Sequence, residues 1–132
     1  MKAAQRDREL LQAAVAALNR LYKKDRHEVA AAVRCVNGRV YSGIHIESKH
    51  SGYADICAEV AVICVALADG NSDFESIVAI QKDSRGGYRI LPPCGRCRDV
   101  ISDFSRDTMV LLGEFQNPQK SKISALVPHK PL

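Results

Sequence analysis

The sequence lacks the features that mark membrane, secreted or nucleic-acid-binding proteins. It has no tryptophan, only four tyrosines and three phenylalanines among 132 residues, and a net charge of only +4. Few aromatics and no dense run of Lys or Arg argue against a nucleic-acid surface. The longest apolar runs, such as residues 60–68, are far too short to span a bilayer. The charged residues 1–9 lack an apolar segment of signal-peptide length. We therefore expect a cytoplasmic protein that binds neither nucleic acid nor a membrane.

The cysteines also exclude one class of protein. Five is an odd number, which argues against a closed disulfide framework. In the cytoplasm thiols stay reduced and are more often used to bind metals than to pair with one another. There is no internal repeat, linker or low-complexity tract, and the length suits one core. We expect a single domain spanning residues 1–132.

Hydrophobic periodicity predicts alternating helices and strands. The predicted helices cover residues 3–22, 57–69 and 95–105, and the predicted strands cover 28–36, 39–46, 75–82 and 108–112. Asn37-Gly38 is a strong hairpin signal between the first two strands. Loops are predicted at 47–56 and 83–88, a polar turn at Asn117-Pro118, and a last short strand or helix at 122–127. This order predicts an α/β fold with a layered mixed sheet and right-handed crossovers.

Two short motifs carry the chemistry: Cys57-Ala58-Glu59 and Pro93-Cys94-Gly95-Arg96-Cys97. Both are predicted to begin helices. Three thiolates can hold zinc in a tetrahedral site with its fourth position open for water. A carboxylate two residues after the first thiol can move protons for that water.

Less specific interpretations of the motifs remain open. The cysteines could be apolar filler, or Cys94 and Cys97 a redox pair, although a redox pair leaves Cys57 and Glu59 unexplained. The zinc could be purely structural, with a histidine as its fourth ligand. The candidates for that ligand are His27, His45 and His50. Glu59 could simply favour a helix N-terminus. Cys35 and Cys64 are predicted to be core residues, because one lies in a strand and the other in a helix that is apolar on most sides.

Cys-Ala-Glu followed by Pro-Cys-x-x-Cys is the signature of the zinc deaminases. The chain resembles the cytidine deaminase superfamily in its small, all-cysteine branch and, within that branch, the blasticidin-S deaminases. The similarity runs from about Val29 to Pro128. It implies a three-layer α/β/α fold with a mixed five-stranded sheet. It also implies one zinc ion per chain and a homotetramer in which neighbouring chains complete each pocket.

The resemblance further implies an activity. It is the hydrolytic deamination of a cytidine-like nucleoside, as in pyrimidine salvage, with Glu59 as the proton carrier and Cys57, Cys94 and Cys97 as the zinc ligands. Zinc with three thiolates carries a net charge of about −1, which a nearby cation should offset. Many members place an arginine directly after Cys-Ala-Glu, where this chain has Val60. Arg96 is therefore the first candidate for that cation, and Arg98 the second.

Substrate recognition departs from the family pattern. A Gly-x-Asn-x-Glu segment binds ribose in the family, and this chain has Gly43-Ile44-His45-Ile46-Glu47. Here Glu47 matches, and His45 replaces the asparagine. His27 occupies the position of a stacking aromatic residue, and the backbone near Ala58 and Pro92 is expected to contact the edge of the ring. Another aminated heterocycle, or a cytosine nucleoside antibiotic such as blasticidin S, is thus an alternative substrate. A non-catalytic zinc-binding module is an alternative of a different class.

Overall fold

The computed structural model describes residues 1–131. Its α-helices are α1 (Gln5–Leu21), α2 (Ala58–Ala68) and α3 (Gly95–Phe104). Its strands are β1 (Val29–Cys35), β2 (Val40–Ile44), β3 (Phe74–Lys82), β4 (Tyr88–Leu91), β5 (Met109–Glu114) and β6 (Asn117–Lys122). Short 3₁₀ turns lie at Gly52–Ala54 and Ile123–Leu126. The predicted helices and the four predicted strands are confirmed to within about two residues at each end.

The strands form one mixed sheet in the order β2-β1-β3-β5-β6. β1 is antiparallel to both β2 and β3, while β3 is parallel to β5. The edge of β3 away from β1 is shared, because β5 pairs with Ser76 and Ile77 whereas β4 pairs with residues 79–82. Counting β4, the sheet has six strands among the described residues, one more than the five expected.

Helices cover both faces of the sheet, which confirms the three-layer architecture. Alternate residues of β1 point to opposite faces, as the pleat requires. Ala30 and Ala32 pack with Leu10 and the rest of the buried stripe of α1. Ala31 and Val33 belong to a second core, together with the buried residues of α2 and α3.

Two strands were absent from the sequence-based prediction. β6 begins at Asn117 and Pro118, where a polar turn was expected, and runs through the polar sequence NPQKSK. Proline is tolerated there because β6 is an edge strand, in which not every N–H must join the ladder. β4 has only four residues and directly follows the Gly86-Gly87 turn. Neither segment has an apolar alternation long enough to be distinguished from a loop.

The burial of α2 also differs from the prediction. Val62, Ile63 and Ala66 are buried, but Val65 and Leu67 are 44% and 41% exposed, and Cys64 is exposed as well. The prediction that Cys64 is a core residue is therefore wrong, whereas the prediction for Cys35, 1% exposed, is confirmed. An apolar sequence shows that the side chains of a helix favour burial. It does not show whether the same chain or another molecule buries them.

The loop before α2 is closed at its base. Ile46 and Ile56 exchange both backbone hydrogen bonds, at 3.0 and 2.9 Å. The residues between them therefore form a closed loop that ends directly before Cys57.

Within residues 1–131, no helix combines the length and apolarity needed to cross a membrane.

Candidate active site

The first turns of two helices bring three thiols together. Cys57 is the N-cap residue of α2, Cys94 is the N-cap residue of α3, and Cys97 lies in the first turn of α3. The Sγ atoms of Cys57 and Cys94 are 3.7 Å apart, and the three sulfurs lie within 4.8 Å of one another. In a tetrahedral site with zinc–sulfur bonds of about 2.3 Å, neighbouring sulfurs are about 3.8 Å apart. The three thiols thus fit a zinc ion.

Hydrogen bonds distinguish the three thiols. The Cys94 sulfur accepts from the backbone N–H of Cys97 at 3.5 Å. Burial opposes ionisation of Cys94, yet this bond and the neighbouring thiols lower its pKa overall. Burial raises the pKa of Cys57 and, with the charge of Glu59, raises the pKa of Cys97 well above its usual range. Thiols bind metal as thiolates. A cation held among these three would therefore lower their pKa values and release their protons.

Glu59 is the acidic group of the site. It lies in the first turn of α2, where a carboxylate is favoured by the helix dipole, and is 7% exposed. Burial raises the pKa of its carboxyl group, while hydrogen bonds with its own backbone and with the Cys97 side chain partly oppose the rise. A carboxyl group whose pKa is moved toward neutrality is suited to accepting and returning protons near pH 7.

These groups line one cavity of about 140 Å³. Its lining residues are Val29, His45, Cys57, Ala58, Glu59, Leu91, Pro92 and Cys94. Six residues that the sequence analysis named for the site, Pro92 among them, are therefore in its wall, and a seventh, Cys97, lies against it through the sulfur cluster. Val29 and Leu91 were not predicted as site residues, because only the pairing of β1, β3 and β4 places two ordinary apolar strand residues beside the motifs.

His27 and Glu47 are not among the residues that line the cavity. His27 Nδ1 lies 2.9 Å from the carbonyl oxygen of His45, and the Nδ1 of His45 accepts weakly, at 3.4 Å, from the backbone N–H of Glu28. His27 thus braces the backbone of a cavity residue. The Glu47 carboxylate lies within 4.8 Å of those of Asp25 and Glu28, outside the cavity wall.

The two candidate arginines brace the two motifs. Arg96 donates from Nη1 to the carbonyl oxygen of Asp55, at 3.2 Å, in the loop that leads into Cys57. Arg98 donates from Nε to the carbonyl oxygen of Pro93, at 2.8 Å, directly before Cys94. The positive charge of each guanidinium therefore lies next to a segment that carries a thiol.

Fold and site together define a class of protein. Sulfur ligands at two helix N-termini, a nearby buried carboxylate and a cavity open to both are the parts of a zinc-dependent hydrolytic deaminase.

Comparison with known proteins narrows the class to a family. Residues 4–113 match the family model described as the cytidine and deoxycytidylate deaminase zinc-binding region. Blasticidin-S deaminase of Bacillus cereus is 35% identical over 130 residues, which cover 96% of this chain and 92% of that protein. Cytidine deaminase of Halalkalibacterium halodurans is 35% identical over 105 residues, covering 78% and 76% of the two chains.

Solved structures agree with the sequence comparisons. The crystal structure of a cytidine deaminase from Burkholderia pseudomallei matches with a TM-score of 0.79 and 25% identity, over 98% of this chain and all of that one. That of Mycobacterium leprae cytidine deaminase matches with a TM-score of 0.76 and 26% identity. The chain belongs to the cytidine and deoxycytidylate deaminase family and is a zinc-dependent hydrolytic deaminase.

Proposed function

We propose that this enzyme deaminates a cytidine-like nucleoside, converting cytidine or deoxycytidine to the uridine product and ammonia. The observation that carries the proposal is the convergence of three thiols and buried Glu59 on one cavity. The proposed zinc ligands are Cys57, Cys94 and Cys97. Zinc held by them would lower the pKa of water toward neutrality and so supply a nucleophile near pH 7.

The residues around the zinc position move the protons. Glu59 takes a proton from the attacking water and delivers it to the ring nitrogen. It then takes the second proton from the hydroxyl group added to the ring carbon and delivers it to the amino group, which leaves as ammonia while the carbonyl forms. Its buried carboxyl group has the raised pKa that both transfers need. The backbone at Ala58 holds the edge of the ring, because a helix N-terminus offers free N–H groups. His45 contacts the sugar from the cavity wall, and Glu47, outside that wall, contacts the part of the sugar that projects beyond it. His27 supports His45 through its hydrogen bond to the His45 carbonyl oxygen.

Arg96 offsets the negative charge that three thiolates and one zinc ion carry. Its guanidinium is tied to the Asp55 carbonyl oxygen, two residues before the first thiol. A cation held there would offset part of the electron density that three sulfur ligands give to a zinc ion, and so would keep the ion electron-withdrawing. This assigns Arg96 the role that an arginine at the position of Val60 plays in many relatives.

Ammonia release from a substrate panel tests the proposal. Zinc-loaded protein should release ammonia from cytidine and deoxycytidine, and the Glu59→Gln variant should not. The similarity to Bacillus cereus blasticidin-S deaminase, over 96% of this chain, favours blasticidin S as a second candidate substrate. Turnover of blasticidin S without turnover of cytidine would decide for the antibiotic. Retention of zinc with no ammonia from any aminated heterocycle would instead indicate a non-catalytic zinc-binding module.

The proposal extends to assembly and location. We propose a homotetramer, supported by the exposed apolar side chains Val65 and Leu67 on α2. The cavity of about 140 Å³ in one chain is also smaller than ordinary small-molecule sites, which measure roughly 300–1,000 Å³. Residues of a neighbouring copy would enlarge it by forming a further wall. We also propose a role in pyrimidine salvage and a location in the cytoplasm, where thiols such as the five free cysteines stay reduced.

A further inference from the structure

The segment that joins β4 to α3 has few backbone hydrogen bonds of its own. β4 ends at Leu91, which pairs with Ala79 of β3, and Pro92 and Pro93 follow. Proline has no backbone N–H to donate. Within residues 1–131, no backbone carbonyl oxygen accepts from the N–H of Cys94 either. The sheet therefore does not hold the residues that lead into the second motif.

One residue of α3 holds this segment from the other side. Arg98 donates from its backbone N–H to the carbonyl oxygen of Cys94, at 2.9 Å, and from its side-chain Nε to the carbonyl oxygen of Pro93, at 2.8 Å. Each peptide unit is planar, so fixing a carbonyl group fixes the whole plane. The two planes that Arg98 holds meet at the Cα atom of Cys94. Together they set the direction in which the Cys94 side chain leaves the backbone.

Cys94 depends on this support more than the other two thiols do. Cys97 is 1% exposed and belongs to the core beside α2 and α3. Cys57 directly follows the loop that is closed by the pairing of Ile46 with Ile56. Cys94 is exposed, and its sulfur lies 3.7 Å from that of Cys57. A rotation of the backbone at Cys94 would therefore move its sulfur out of the spacing that suits a zinc ion.

The contacts of Arg98 indicate that it contributes a hydrogen bond rather than a charge. The bonded atom is Nε, the guanidinium nitrogen nearest the backbone, and the acceptor is a neutral carbonyl group. Among the residues that the structure describes, no sulfur accepts a hydrogen bond from the Arg98 guanidinium. The offset of the negative charge of the thiolates thus stays with Arg96, as proposed above.

We propose that Arg98 is a positioning residue for the metal site, which acts through its hydrogen bond to Pro93 and so directs the sulfur of Cys94 toward the ion. This rests on the proposed function, because it takes Cys94 as a zinc ligand. A group that orients a metal ligand without touching the metal typically contributes about 10- to 100-fold to metal affinity. Arg98 accordingly tightens zinc binding and takes no part in the proton transfers.

Three substitutions separate the hydrogen bond from the charge. In Arg98→Gln the side-chain amide nitrogen is as many bonds from the backbone as Nε is, so this variant keeps the donor and loses the charge. Arg98→Lys keeps the charge but has a carbon atom at that position. Arg98→Met has neither donor nor charge. We expect Arg98→Gln to bind zinc within about threefold of the unaltered protein, and Arg98→Lys and Arg98→Met to bind it about tenfold more weakly or worse.

Competition with a chelator of known affinity measures zinc binding without requiring turnover. The cobalt-substituted protein gives a second measurement, because the absorption bands of cobalt bound by thiolates report the geometry of the sulfur ligands. These bands should change in Arg98→Met and stay the same in Arg98→Gln. Should Arg98→Met fail to fold, the comparison of Arg98→Gln with Arg98→Lys decides, and Arg98→Gln is expected to bind more tightly.

Arg106→Met is the matched control. The Arg106 guanidinium also donates to a backbone carbonyl oxygen, that of Lys130 at 3.1 Å, but just beyond the C-terminal end of α3. This variant should bind zinc as tightly as the unaltered protein does.

Equal zinc affinity in Arg98→Gln and Arg98→Met, whether full or reduced, would overturn the proposal. Tighter binding by Arg98→Lys than by Arg98→Gln would also overturn it, since the charge would then be the contribution of Arg98. Ammonia release tests the proposed function separately. Metal bound through the thiols, with no ammonia from any aminated heterocycle, would end the deamination proposal and leave the role of Arg98 standing.

Discussion

At the scale of single residues, the proposed chemistry depends on Glu59. Gln has nearly the same shape but carries no transferable proton, so Glu59→Gln removes the proton carrier and leaves packing intact. We expect ammonia release to fall by about a hundred- to ten-thousandfold, with zinc content and melting temperature close to those of the unaltered enzyme. A rate near normal would remove Glu59 from the mechanism.

The ligand set is also tested by single residues. Cys94→Ala should lose zinc, because two remaining thiolates hold the ion far less firmly than three. Cys64→Ala is the matched control: Cys64 is exposed on α2 and outside the sulfur cluster, so this variant should keep one zinc per chain. The zinc content of each dialysed variant tests the proposed ligand set. Full zinc in Cys94→Ala would show that the proposed ligand set is wrong.

At the scale of elements, the site depends on how closely α2 approaches β2. A Cβ added at Gly43 would lie 2.7 Å from the backbone nitrogen of Val62, and backbone cannot move aside cheaply. Gly43→Ala should therefore lower the free energy of unfolding by about 1–3 kcal/mol and shift the start of α2, where the proposed zinc ligand Cys57 lies. Gly52→Ala, where nothing lies within 4 Å, is the control and should be nearly neutral. Urea unfolding of both variants measures the difference, and equal stabilities would contradict the close contact.

The opposite end of α2 is fastened to the β1–β2 hairpin by a polar network. Asp69, the C-cap residue, accepts from the Tyr41 hydroxyl and from Arg39 Nη1, the latter at 2.8 Å. The hydrogen bond from Tyr41, followed by the charge of Arg39, lowers the pKa of Asp69. A lowered folded-state pKa means that the network stabilises the fold fully above the ordinary Asp pKa of about 3.9. That contribution is lost as the pH falls through the lowered value.

Asp69→Asn should accordingly be less stable than the unaltered protein at pH 7. The gap should narrow as the pH falls below about 4, because the carboxyl group then takes up a proton in the unfolded state, whereas in the folded state its lowered pKa keeps it ionised to lower pH. Urea unfolding at several pH values, with the two proteins matched for zinc content, gives the gap. Tyr41→Phe provides a second variant of the same network, since it removes the hydroxyl and keeps the ring. A gap that stays constant down to about pH 2 would contradict the role of the carboxylate.

At the scale of the whole molecule, the apolar face of α2 leads to a prediction about assembly. Light scattering should give four times the chain mass of 14.5 kDa. Val65→Glu should reduce this mass, because burying an unpaired carboxylate in an interface is costly. Val36→Glu introduces the same charge at a position that is 59% exposed at the end of the hairpin, and should leave the mass unchanged. A monomer in the unaltered protein, or equal effects of the two variants, would contradict a tetramer built on this face.

The chemistry of the site could be read from the sequence because its signals are local. The spacing of these four residues places their side chains at the starts of two helices: Cys57, Glu59, Cys94 and Cys97. Three cysteine thiolates are typical ligands of zinc. Helices and long strands were likewise predicted, since their apolar periods are set by backbone geometry. β4 and β6 were missed because short or polar edge strands are held by pairing with a neighbour, which no local pattern records.

The sequence alone thus determined the candidate sulfur ligands, the candidate proton carrier and the layered α/β fold. Folding alone brought Val29 and Leu91 into the cavity wall and left Glu47 outside it. The physical reason is that a strand residue meets its cross-strand neighbours only once register is established, and register depends on the packing of both faces at once.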